Sequence, residues 1–447
     1  MSGAQRASRA AIIVFAAAAV GFLYVSIGAE PVAGAASAAP PSAALPLLSG
    51  LQMFGATDGW AVSATGGQLL VTHDGGALWT PSDSGGAHVV PMPNNQGTNP
   101  VSWSIGMMQP GASYAPPGCT GAACRVLWVE GEVGNDGAVH LFQSTNGGLS
   151  WTDLHQVGLP AFPGVASMEP LWEAPPDLSF PTAMDSWAVW YATTPDVEEI
   201  VFHSDTTGRR WAEVGLLTMT RGLEGSPPPA GVPARLAFAT PSTGWFVGTS
   251  YGFAWLYATA DGGHTWRNVE LAIPPAYLGY QVTTNVPVVS ADGRGVLPVT
   301  FTRQVVGPGA FRQEAAVLLY RTTDGGATWT ATTPVAAYAS GPTVLWSAPD
   351  PQDAWVLGGP QSIEVTADGG ATWQAVRADT SLARAVVLDV APVQRPATAA
   401  ATTASGTQAA PVAPDQAWAL VNNETGAALL HTADGGAHWT TIAASVQ

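Results

Sequence analysis

The feature that most constrains this chain is an eight-residue string that returns along its length. Thr72-His73-Asp74-Gly75-Gly76-Ala77-Leu78-Trp79 recurs as Thr259–Trp266, Thr322–Trp329, Thr366–Trp373 and Thr432–Trp439, always as Thr-x-Asp-Gly-Gly-x-x-Trp. Ser144–Trp151 carries Asn146 at the acidic position. Ser204–Trp211 is degraded to Thr206 there, and keeps only Gly208 of the glycine pair. A string copied every few tens of residues implies one supersecondary unit repeated, each copy able to bury its faces only against its neighbours.

A second marker precedes the strings. It reads Asp58-Gly59-Trp60-Ala61-Val62, Asp185-Ser186-Trp187-Ala188-Val189, Thr243-Gly244-Trp245-Phe246-Val247, Asp353-Ala354-Trp355-Val356-Leu357 and Gln416-Ala417-Trp418-Ala419-Leu420. Weaker forms are Arg125–Val129 and Gly293–Leu297. Short apolar runs bounded by Gly, Asp and Pro read as strands. In the first unit they fall at Leu51–Phe54, Trp60–Val62, Gln68–Thr72 and onward from Trp79. The fold expected is all-β: a seven-bladed β-propeller of four-stranded antiparallel blades over residues 48–447, preceded by an N-terminal apolar helix.

The chemistry of the string is that of a turn. Paired glycines supply positive φ between the third and fourth strands. The Asp carboxylate accepts hydrogen bonds from turn N–H groups, and the Trp folds back over the hairpin. Asn146 keeps an acceptor oxygen. The residues expected in this scaffolding role are Asp74, Trp79, Asn146, Trp151, Trp211, Asp261, Trp266, Asp324, Trp329, Asp368, Trp373, Asp434 and Trp439. His73, His203, His264 and His438 fall within or beside the strings and read as turn surface rather than metal ligands.

Charge narrows the partners. The chain of 447 residues has 15 Lys+Arg against 32 Asp+Glu, net −17, and every cation is Arg. An acidic surface repels phosphate backbones and anionic lipid, so nucleic acid is excluded as an expected partner. Arg6 and Arg9 precede an uncharged run from Ala10 to Ala29, the pattern of a signal peptide or membrane anchor over residues 1–29. Cleavage after Ala35 or Ala38 is compatible with the sequence. Without cleavage, the positive flank places the rest of the chain outside the cytoplasm. Residues 30–47 read as an Ala/Pro-rich linker, and 392–414 as a low-complexity insertion. Cys119 and Cys124 are the two cysteines, five apart in a Gly-containing loop, and an oxidising compartment permits a disulfide between them. Two thiols alone do not make a structural zinc site, and no cofactor or metal is expected.

These strings resemble the BNR/Asp-box repeats of sialidases, of other glycan-degrading enzymes and of non-catalytic propellers. The pairing of Asp-Gly-Trp-Ala-Val with a following Thr-x-Asp-Gly-Gly-x-x-Trp is most similar to the photosystem II stability/assembly factor group, over roughly residues 48–447. The resemblance implies a propeller, and in that group's assembly factors an Arg-rich patch; here Arg209-Arg210 is the local pair. Sialidases carry a Phe/Tyr-Arg-Ile-Pro motif near the start, which this sequence lacks, and a triad of arginines. Spacing singles out no three of Arg125, Arg235, Arg303 and Arg312. A glycosidase needs two facing carboxylates, for which Glu130, Glu132, Glu169, Glu173 and Asp177 are open candidates. Ser82–Gly86 and Gly248–Gly252 imitate hydrolase nucleophile motifs, but neither has the strand–turn–helix or His/Asp context such sites need.

Long connections run over Thr152–Glu173, Leu216–Pro233 and Asn268–Gln281. The aromatics outside the repeat pattern are Trp172, Trp190, Tyr191, Trp255, Tyr277 and Tyr280. They form the expected recognition surface, on the side away from the strings. The function expected is non-catalytic binding of a protein or glycan at the cell surface, with membrane contact only through the N-terminal segment. The alternative is a carbohydrate-active hydrolase.

Overall fold

A computed structural model describes residues 43–46, 48–63, 69–81, 102–104, 113–114, 126–132, 139–148, 150–156, 177–194, 197–217, 231–307, 310–340, 343–391, 414–423 and 426–446. The N-terminal apolar segment and its linker to residue 42, the cysteine pair and most of the 392–414 insertion lie outside them. The described residues are all-β, with no α-helix and a single 3-10 turn at Pro275–Tyr277. None of their helices is long and apolar enough to cross a membrane.

Each string closes an antiparallel meander, named here by its Asp-position residue. The Asp74 unit orders Leu48–Met53, Gly59–Ser63, Leu69–Thr72 and Leu78–Pro81 side by side. The Thr206 unit does the same with Asp177–Ser179, Ser186–Thr194, Val197–Ser204 and Ala212–Leu217. So does the Asp434 unit, with Ala385–Val390, Ala417–Asn423, Gly426–Thr432 and Thr440–Ile442. The chain's two ends join in one sheet. Ser445–Val446 pairs parallel with Leu78–Trp79, and Ala43–Ala44 pairs antiparallel with Ser445–Val446.

Middle strands are buried on both faces, which is why they read as unbroken apolar runs: Gly244–Val247 and Trp255–Thr259 are buried at every position. The second-strand Trp of one unit reaches the string of the next. Trp187 Nε1 donates to Gly262 O at 3.0 Å, and Trp418 Nε1 donates to Gly75 O at 3.0 Å, so the last unit meets the first as any unit meets its successor. Trp60 stacks on Trp151 with centroids 6.0 Å apart, and Trp128 stacks on Phe180 at 3.9 Å. Gly326 has φ 82°, and a Cβ there would lie 2.4 Å from the Trp245 ring. Glycine therefore serves both the turn and the neighbouring indole at that point. Removing such a buried indole costs about 3–5 kcal/mol.

The units of Asp261 and Asp324 differ from the separate blades expected. Gln281–Thr284 lies inside their connection and pairs with Thr249–Tyr251 on one side and Val299–Thr302 on the other, making one continuous sheet. Its alternation of half-buried and buried residues, with Val282 inside, is that of a strand covered on one face. Gly295–Gly307 and Ala310–Thr322 form a hairpin of thirteen-residue strands, longer than the repeat requires.

Candidate functional site

Two surfaces bear on function. The first is the row of strings. In the Asp74 unit the Thr72 hydroxyl donates to Asp74 Oδ1 at 3.0 Å and accepts the Gly76 N–H at 3.0 Å. Asp74 Oδ1 also accepts the Leu78 N–H at 2.9 Å, and Trp79 Nε1 donates to Gly76 O at 2.8 Å. Asn146 reproduces this with Ser144 and Ser150, as Asp261 does with Thr259 and Thr265. The leading Thr or Ser, which sequence reasoning left without a role, is therefore the second anchor of the turn.

The lids are not uniform. Trp151, Trp266 and Trp439 donate to the second glycine's carbonyl like Trp79, whereas the buried Nε1 of Trp329 and of Trp373 has no partner. In the degraded copy Thr206 Oγ1 accepts the Arg210 N–H at 2.9 Å, and Thr207 holds φ 62° where the other copies have glycine. His203 is not turn surface. It ends a strand and stacks on Trp187 at 4.3 Å.

The carboxylates here are spent on the turns. Hydrogen bonds from the Thr328 hydroxyl and backbone N–H, then from Thr322, hold Asp324 at about 2. The His438 backbone N–H and ring hold Asp434 at about 2, and Asp434 in turn raises His438. Asp261 and Asp368 are also lowered, partial burial being outweighed by the hydrogen bonds of Thr265 and Thr372 respectively. A carboxyl group ionised to such acidity is a poor proton donor or acceptor near neutrality.

The second surface lies at the opposite ends of the same strands, where the Asp261 and Asp324 units join. The hairpin turn after Gly244–Tyr251 exposes Tyr251 (76%) and Phe253 (56%), and the following connection exposes Leu278 (57%). They belong together: Gly252 N–H donates to Tyr280 O at 3.1 Å, and a Cβ on Gly252 would lie 3.0 Å from Leu278 O. Beside them Tyr280 donates to Glu314 Oε2 at 2.9 Å, Arg303 Nη2 donates to the same oxygen at 2.6 Å, and the Arg303 guanidinium sits 4.5 Å above the Tyr280 ring. Tyr277 stacks on Phe301 at 4.6 Å and meets Tyr280 edge-on. Burial first, then the Glu314 hydrogen bond, push the Tyr280 hydroxyl above its usual range, with Arg303 pulling the other way.

The aromatics expected at a recognition surface divide accordingly. Trp255 (4% exposed) is core, packed with Phe246 and Tyr257, because a five-residue strand sandwiched between two sheets buries both its faces. Tyr280 (8%) is also buried and supports the patch from beneath; Tyr277 is packed on Phe301 beside it. Trp190 and Tyr191 fall on strand Ser186–Thr194, opposite Ile200 and Glu199. Trp172 lies outside the described residues, as do Glu169, Glu173, Cys119, Cys124 and Arg125. Glu130 and Glu132 fall on Val126–Glu132, and Asp177 on Asp177–Ser179. Tyr251, Phe253 and Leu278 were missed because the repeat pattern gives no sign of which ring in a turn is covered. Among the described residues no group of three or more His, Cys, Asp or Glu is placed to hold a metal ion.

Solved structures similar to the chain include YCF48 bound to D1 peptide, at 16% identity over 88% of this chain and 94% of that one, with a TM-score of 0.42. YCF48 from Cyanidioschyzon merolae is 14% identical over 88% of this chain and 97% of its own, with a TM-score of 0.41. The GH74 xyloglucanase from Xanthomonas campestris is 17% identical over 89% of this chain, with a TM-score of 0.47; the chain spans 55% of its length. The chain is thus similar to YCF48, a photosystem II assembly factor. No protein-family model matches the sequence, and no curated protein does.

Proposed function

We propose that the repeated units form a seven-bladed β-propeller that works outside the cytoplasm as a protein-binding module. Arg6, Arg9 and the apolar run from Ala10 to Ala29 supply export or anchoring. The observation that carries the binding role is the exposed cluster of Tyr251, Phe253 and Leu278 on the side away from the boxes. Large apolar side chains gathered at one place on an acidic, otherwise well-buried chain mark an interaction site. Aromatic rings there bring much contact area at low entropic cost. An aliphatic Leu278 between the rings favours an apolar polypeptide over a sugar, whose hydroxyls it leaves unpaired.

The test is capture from the native envelope with the wild type and with Tyr251→Asp/Phe253→Asp. The expected result is a defined protein partner retained by the wild type and lost by the double variant, with the fold intact by circular dichroism. Equal capture by both sinks the assignment of the surface.

The hydrolase reading rests on the Tyr280–Glu314–Arg303 cluster, a set that sugar-processing sites also use. The direction of the Tyr280 shift opposes it, because a nucleophilic phenol needs a lowered pKa, and the ring is buried. Hydrolysis of a glycoside panel by the wild type, abolished by Glu314→Gln, would restore that reading.

A further inference from the structure

Where one unit meets the next, a cross-strand row does the joining. In the Thr206 unit, Ser179, Trp187 and His203 lie side by side on adjacent strands. Ser179 Oγ accepts the Phe238 N–H of the next unit at 2.8 Å, Trp187 donates to that unit's Gly262 O, and His203 stacks on Trp187. In the Asp434 unit the same row is Asp389, Trp418 and His431. Trp418 donates to Gly75 O of the first unit, and His431 stacks on Trp418 at 4.8 Å. The first unit's Met53 N–H donates to Asp389 Oδ2 at 2.5 Å. The junction between the Asp368 and Asp434 units again uses a hydroxyl, the Val390 N–H donating to Ser347 Oγ at 3.1 Å. An acid thus stands at the junction that joins the two ends of the chain, where the other two use serine.

The surroundings of Asp389 offer no cation. The strands packed against Ala385–Val390 are Ala417–Asn423, Leu48–Met53 and Trp346–Ser347, and none carries a titratable side chain. The nearest ionisable groups of the row are His431, beyond the Trp418 ring, and the exposed Asp415, which acts on His431. Asp389 keeps some residue surface exposed, but its carboxyl group is enclosed by protein, so a single N–H is all that compensates its charge. An ionised carboxylate so placed regains hydration only if the junction opens.

We propose that Asp389 is a proton-operated latch: protonated, it holds the first strand of the first unit to the last unit, and on ionising it loosens that junction alone. Enclosure pushes the Asp389 carboxyl up to about 7, with the Met53 N–H opposing, which places the transition near neutrality. Its folded value is raised, so the stability it confers is complete below the ordinary carboxylate range and is lost as pH rises to about 7. Burial lowers His431 below its usual value, against the pull of Asp415, so it titrates on the acid side of the latch.

Hydrogen exchange read by mass spectrometry on the full chain tests this, with the backbone amides of Met53 and Phe238 followed in the same molecule. After correction for intrinsic base catalysis, protection at Met53 falls by up to about tenfold per pH unit between roughly 5 and 7, while Phe238, held by Ser179, stays flat. Asp389→Ser removes the slope at Met53. Parallel pH profiles for Met53 and Phe238, or an unchanged slope in Asp389→Ser, overturn the proposal. If Asp389→Ser does not fold, the comparison of the two amides within the wild type decides.

Discussion

The two ends of the same strands obey different rules. At the box end, polar side chains are numerous, each is tied into its own turn, and the pattern repeats with Thr, Asp, two Gly and Trp in fixed register. At the other end, between the Asp261 and Asp324 units, nothing repeats, and Tyr251, Phe253 and Leu278 are left to solvent. Repetition marks where the chain solves a folding problem that every unit shares. Its interruption marks where one unit does something the others do not.

Substitutions should separate the two ends by their readout. The largest effect belongs to the indoles that tie units together. Trp245→Ala or Trp418→Ala is expected to destabilise by about 3–5 kcal/mol in urea unfolding, since each leaves a cavity against the neighbouring turn. A loss under about 1 kcal/mol would break the claim that these rings, rather than the backbone ladders, join the units. Next come the boxes. Asp368→Ala is expected to cost about 1–3 kcal/mol by leaving the Thr372 N–H unpaired, and Asp368→Asn less, because Asn146 already serves in that role. Equal losses for the two would show that the charge, not the acceptor oxygen, fixes the turn.

A smaller effect of opposite sign is expected at the degraded copy. Thr207→Gly relieves φ 62° in a β-branched residue and stabilises by about 0.5–1 kcal/mol. At the opposite rim, Tyr251→Ala/Phe253→Ala is expected to change stability by less than about 0.5 kcal/mol while removing partner capture. A large loss of stability there would erase the contrast between the ends.

Acid sharpens the comparison further. Asp324 and Asp434 are lowered from 3.8 to about 2, so their contribution is present above the ordinary carboxylate range and is lost as pH falls from about 4 to about 2. Unfolding below pH 4 should therefore begin at boxes with a carboxylate and spare the turn of Thr206, a difference that exchange at residues 206–210 against 324–328 would detect.

The architecture was legible because its signal is local. Gly75 and Gly76 take positive φ, Asp74 caps its turn and Trp79 lies over it within eight residues of chain, so adjacency in sequence is adjacency in space. The leading Thr72 escaped notice for lack of a distinctive chemistry rather than distance. The candidate surface was read less well. Trp255 was expected outside and lies in the core, because whether a strand is covered on one face or two depends on sheets that the strand's own sequence does not contain.

The sequence by itself determined the turns, the strands they join and the antiparallel order within each unit, since all of these rest on bonds between residues a few positions apart. Only the tertiary structure decided that Gln281–Thr284 fuses two units, that Leu278 comes beside Tyr251 and Phe253, and that Asp389 receives Met53 from the far end of the chain. These depend on which surfaces the packing leaves open and which it seals, and exclusion of water is a property of the assembled molecule rather than of any segment.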